Sequence, residues 1–218
     1  MKTKLLTIAM TAALMLTAMT KVQAQNFDGP CLPPAHGLDD HQSAFCGAMQ
    51  AIALASGTNW VSFNVEITLN DLKSALVEAL PGTTIIIKSA TQQAKYNGSR
   101  WTGQLKSLDL SQMYKISVIM DCEIMLEGMP VDPAEHPVSI NPGANWIAYP
   151  LTVSGTPASL FTGFAVANDV VKSQTQQKKY NANGRWTGQL NALEPGHGYV
   201  YTSASTDSRT FVFPTGNK

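Results

Sequence analysis

The chain has 218 residues, 15 basic and 15 acidic, with 44% apolar and 14% charged side chains. That apolar share excludes a charge-extended disordered chain. No basic block is present, so nucleic acid and anionic membrane surfaces are not expected partners.

Residues 1–24 read as a secretory signal peptide. Lys2 and Lys4 give a positive start, Leu5 to Met19 is an apolar run broken by threonines, and Val22-Gln23-Ala24 offers a cleavage site. The run is too short for a membrane span, and no span is expected after its removal. Cleavage leaves 194 residues with 12 basic and 15 acidic side chains, a net charge of about −3. The expected location is the periplasm, the cell surface or the medium.

Residues 25–49 form a leader segment. Cys31 and Cys46 enclose a short loop in it, and an oxidising compartment permits a disulfide. The alternative is two free thiols. His36-Gly37-Leu38-Asp39-Asp40-His41 has metal-ligand residue types at close spacing, but such a run reads first as a solvated loop, so no metal or other cofactor is expected.

The remainder contains itself twice. Lys88-Ser89-Ala90-Thr91-Gln92-Gln93-Ala94-Lys95-Tyr96-Asn97 returns as Lys172-Ser173-Gln174-Thr175-Gln176-Gln177-Lys178-Lys179-Tyr180-Asn181. Arg100-Trp101-Thr102-Gly103-Gln104-Leu105 returns unchanged as Arg185-Trp186-Thr187-Gly188-Gln189-Leu190. The offset is 86 residues at Trp60/Trp146, 84 at Tyr96/Tyr180 and 85 at Tyr114/Tyr199, and the drift locates connections. Two modules are therefore expected, at 50–136 and 137–218.

Within copy one, strands are expected over residues 50–55, 60–67, 84–93, 94–97, 100–105, 114–120 and 123–126, with equivalents in copy two. Asn97-Gly98-Ser99 and Asn181-Ala182-Asn183-Gly184 are hairpin turns. Leu69, Leu72, Leu76 and Leu80 predict a helix over 69–80, capped by Thr68 with Asp71 and stopped by Pro81-Gly82. A weaker helix is expected over 157–166 after Thr156-Pro157. The fold class is mainly β: two tandem homologous sandwich- or barrel-like modules, each with one short helix. Cys122 reads as a buried strand residue, with no His/Asn arrangement to make it a nucleophile.

The pattern Asn-Trp-(Val/Ile), then Lys-Ser-x-Thr-Gln-Gln-x-Lys-Tyr, then Arg-Trp-Thr-Gly-x-Leu resembles a repeat of secreted and surface-associated Bacteroidetes proteins. The resemblance implies an exported, non-enzymatic module and carries no catalytic residues.

No nucleophile elbow, phosphate loop, HExxH or CxxC occurs, and no catalytic residue is expected. The four tryptophans occupy two repeat-equivalent pairs. Each either fills a small core or offers an aromatic platform. Trp60 and Trp146, which open apolar strands, favour the core. Trp101 and Trp186, flanked by Arg100 and Arg185 beside a hairpin, are the better platform candidates. If residues 89–97 are extended, Ser89, Thr91, Gln93, Lys95 and Asn97 share a polar face, repeated through Gln177 and Lys179. That face is a structural hydrogen-bond network or a recognition surface. The candidate ligand-binding set is Trp101, Arg100, Trp186, Arg185, Gln93, Lys95, Gln177 and Lys179. The expected function is a two-module binding or adhesion protein of the bacterial envelope with a glycan or protein ligand. The alternatives are a carbohydrate-binding accessory protein using the repeated tryptophans and, behind it, a secreted hydrolase.

Overall fold

The computed structural model of the protein describes residues 47–215. The expected signal peptide, His36, His41 and the Cys31/Cys46 pair lie outside the described residues.

The chain is mainly β, with fourteen strands and two short helices among the described residues. Copy one contains β1 (Ala48–Leu54), β2 (Gly57–Val61), α1 (Leu69–Ala79), β3 (Thr84–Lys88), β4 (Gln93–Asn97), β5 (Trp101–Gly103), β6 (Tyr114–Val118) and β7 (Cys122–Gly128). Copy two contains β8 (Val138–Ile140), β9 (Gly143–Ile147), α2 (Pro157–Leu160), β10 (Val170–Lys172), β11 (Gln177–Tyr180), β12 (Trp186–Gly188), β13 (Tyr199–Ser203) and β14 (Arg209–Phe211). Each copy forms one five-stranded antiparallel sheet and one two-stranded sheet. The orders β2-β6-β3-β4-β5 and β9-β13-β10-β11-β12 match position by position, as do β1-β7 and β8-β14.

Strand alternation puts one face of each large sheet inward. Ile85, Ile87, Ala94, Tyr96, Ile116 and Val118 point to the first core, where Leu69, Leu72 and Leu76 of α1 join them. Val171, Tyr199 and Tyr201 point to the second, which is richer in aromatics and centred on Phe161. Burial of these rows is the main favourable term. Thr68 caps α1 through a full capping box with Asp71. The Thr68 hydroxyl and backbone N–H bonds hold the Asp71 carboxyl below its usual range.

Three expectations need correction. The second helix covers only 157–160, and the following residues are turns that pass through Gly163 at φ +74°. Residues 89–92 are not extended. The Ser89 hydroxyl accepts from Thr91 and Gln92 N–H while Ser89 N–H donates to Gln92 O, and Ser173 repeats the turn. Ser89 and Thr91 therefore do not continue the face of Gln93, Lys95 and Asn97. Cys122 is half-buried rather than buried, at the start of β7, and is a free thiol. Partial burial raises its pKa.

The copies face each other through corresponding parts. Ser62 N–H donates to Gly196 O at 3.1 Å, and Ala148 N–H donates to Ser111 O at 3.0 Å. Ser62 corresponds to Ala148, and Gly196 to Ser111, by the strand pairings. The same contact made twice in opposite directions is the mark of an isologous, pseudo-twofold junction. The connection between copies is held too. Met129 O accepts from Glu66 N–H, Val131 N–H donates to Asn64 O, and His136 lies 2.8 Å from Glu66.

Candidate functional site

The outward positions of the large sheets follow from the register. In copy one, Trp60 sits opposite Lys115, Lys115 opposite Lys88, and Lys88 opposite Gln93. A second row runs Thr58, Ser117, Ile86, Lys95 and Thr102. In copy two, Trp146 sits opposite Val200, Val200 opposite Lys172, and Lys172 opposite Gln177. Lys179 and Thr187 pair beyond them.

The two outer faces meet. Lys115 Nζ lies 4.9 Å from the Trp60 ring centre and 4.4 Å from that of Trp146, so one ammonium group sits between equivalent indoles of the two copies. Gln174 fastens the seam from copy two. Its Nε2 donates to Thr58 O at 2.8 Å, and its Oε1 accepts from Trp60 N–H at 3.2 Å. The equivalent residue in copy one is Ala90, which has no such group.

Each outer face ends in an open concavity. One, of about 540 Å³, is lined by Lys88, the 89–92 turn, Gln93, Gly103 and Gln104. The other, of about 470 Å³, is lined by Lys172, Gln174 to Gln177, Gly188 and Gln189. Their floors are built alike. A Cβ at Gly103 or Gly188 would collide with the carbonyl oxygen of Gln93 or Gln177. Those carbonyls each accept two consecutive N–H groups, from Gln104 and Leu105 or from Gln189 and Leu190.

Of the residues singled out from sequence, Gln93, Lys95, Gln177 and Lys179 are exposed on this outer face. Trp101 and Trp186 are not on it. They pair with Tyr96 and Tyr180 on the inward row and pack half-buried against the two cores. The Trp101 ring packs tilted against Tyr96 at 5.3 Å with Lys73 at 5.5 Å, and the Trp186 ring packs tilted against Tyr180 at 5.2 Å. Arg100 and Arg185 are exposed in the hairpin turns. Trp60 and Trp146 are half-buried outside both cores. Sequence reasoning placed these two tryptophans in the cores, which the register corrects, and did not single out Lys88, Lys115 or Lys172. The usable signal was the parity of Trp60, Lys115 and Lys88 across an antiparallel register.

Copy two also replaces apolar core residues with a polar cluster. Asp169, Tyr201 and Arg209 stand where copy one has Ile85, Ile116 and Cys122. Asp169 is fully buried. It accepts from Tyr201 Oη at 2.5 Å, from Val166 and Ala204 N–H, and from Arg209 at 3.3 Å. Burial, then the Asp169 bond, raises the Tyr201 pKa. The cluster ties the 161–169 loop to the sheet, since Arg209 also donates to Phe164 O at 2.6 Å and lies over its ring.

Among the described residues, no group of three His, Cys, Asp or Glu could hold a metal ion, and no helix is long and apolar enough to cross a membrane. Comparison of the chain with protein-family models, curated proteins and solved structures returns no match.

Proposed function

We propose that the chain is an exported, non-catalytic two-module binding protein of the bacterial envelope, and that the joined outer sheet faces are its binding surface. The observation that carries this is Lys115 between Trp60 and Trp146, because it joins two repeat-equivalent faces into one. Both halves offer exposed amide, hydroxyl and ammonium groups beside aromatic rings, a combination suited to a polar ligand with apolar patches. Engagement of both halves by one ligand raises avidity without new kinds of contact. The sugar-binding reading moves to Trp60 and Trp146, whose rings lie on this face, and away from Trp101 and Trp186.

The test is retention of the processed protein on envelope fractions and on arrays of envelope glycans and proteins. Wild type is compared with Trp60→Ala/Trp146→Ala and with Trp101→Phe/Trp186→Phe. The reading expects the first pair to lose binding at an unchanged circular dichroism spectrum, and the second pair to keep it. Equal retention of all three proteins rejects this face.

A further inference from the structure

We infer that the joined outer face recognises an extended anionic polysaccharide lying across both copies; this rests on the binding-face reading above. The carrying observation is charge segregation. Lys88, Lys95, Lys115, Lys172 and Lys179 all occupy outward positions of the two large sheets. No outward position of those ten strands carries a carboxylate. This occurs in a chain with equal numbers of acidic and basic residues. The exposed acids Glu123 and Glu127 lie instead on β7, in the small sheet. None of the five lysines forms an ion pair among the described residues. A surface so arranged attracts a negative ligand and repels a positive one.

Three features select a polysaccharide among anionic polymers. Lys115 and Lys88 stand on neighbouring strands, about 4.8 Å apart across the sheet, and the half-buried indoles of Trp60 and Trp146, which hold the Lys115 ammonium group between them, supply apolar surface at the centre. Thr102, Thr187, Gln93 and Gln177 offer neutral hydrogen-bonding groups beside the lysines, matching hydroxyls that alternate with carboxylates. The outward positions hold lysines and no arginine, so the face attracts anions as point charges and does not fix a carboxylate or phosphate through a planar fork. Its aromatics form one central pair rather than a succession of stacking platforms for bases.

The experiment uses the processed full chain in affinity electrophoresis and titration calorimetry. The probes are polygalacturonate, neutral dextran of matched length and a single-stranded oligodeoxynucleotide. The variant is Lys88→Gln/Lys95→Gln/Lys172→Gln, three changes at exposed outward positions that leave both cores and the Lys115 seam intact. The inference expects polygalacturonate to bind, and its affinity to fall roughly tenfold or more in the triple variant and with added salt. Dextran and the oligonucleotide should bind more weakly. Dextran binding as tight as polygalacturonate, unchanged in the triple variant but lost in Trp60→Ala/Trp146→Ala, overturns the anionic ligand and leaves the binding face standing. Equal capture of the oligonucleotide overturns the choice of polysaccharide. Polygalacturonate binding that neither variant alters overturns the face itself.

Discussion

Gly198 and Met113 occupy equivalent positions in the two copies and meet at the junction, where a Cβ on Gly198 would overlap the Met113 Cβ. Near a pseudo-twofold axis two equivalent side chains compete for one space. Met113 is fully buried there, and Gly198 yields. Gly198→Ala should therefore force the copies apart and cost about 1–3 kcal/mol, the usual penalty of overpacking. Urea denaturation checks this. Met113→Gly added to Gly198→Ala should cost less than the sum of the two single changes, whereas Met113→Ala, which removes the Sδ contact but keeps the closer Cβ, should give less relief.

Gln174 makes the seam asymmetric, and two substitutions test its contribution. Gln174→Ala removes both bonds to the edge of β2. It should lower stability by about 1 kcal/mol, since water reaches the freed groups. Ala90→Gln should place a matching amide against β9 and raise the thermal midpoint. An unchanged midpoint in both variants would mean that water serves these edges equally well.

The Asp169 cluster should be costly to break from one side. Asp169→Ala leaves Arg209 half-buried with its charge uncompensated and Val166 and Ala204 N–H without their acceptor. A loss of about 3–5 kcal/mol is expected by chemical denaturation. Ile85→Ala in copy one removes only apolar contacts and should fall in the range of about 2–5 kcal/mol. The informative difference is hydrogen exchange in residues 161–169, which should rise in Asp169→Ala and stay at the wild-type level in Ile85→Ala.

Alkaline pH should unfold the protein through its tyrosines. Burial raises the pKa of Tyr114, Tyr149, Tyr199 and Tyr201 above the ordinary value. The folded state then holds these protons more tightly than the unfolded state. Their contribution is complete below pH about 10, where unfolded tyrosine ionises, and is lost as pH rises further. Absorbance at 295 nm should show these four ionising together with the loss of the far-ultraviolet spectrum. Smooth ionisation while the spectrum persists would contradict their burial.

The repeat, the hairpins, α1 and its capping box were legible because each depends on neighbours in sequence. The start of β13 at Tyr199 followed from its equivalence to Tyr114 across the repeat. What stayed hidden depends on register. Trp60 and Trp101 both precede β-forming residues, yet pairing with Lys115 turns one outward and pairing with Tyr96 turns the other inward. The turn at Ser89 breaks the alternation that would have tied residues 89–91 to Gln93. The equivalence of Cys122 and Arg209 was invisible because the drift between copies grows to 87 residues there, a shift fixed only by the β1-β7 and β8-β14 ladders.

The reciprocal bonds Ser62–Gly196 and Ala148–Ser111 set a limit on how this architecture can grow. Each copy spends the same flank on its partner, so the pair closes on itself as a finished unit. A third copy would meet no vacant counterpart of that flank, and tandem expansion by this contact would have to proceed by whole couples. Chains built from longer runs of such modules would then string discrete doublets together rather than extend one continuous superhelix.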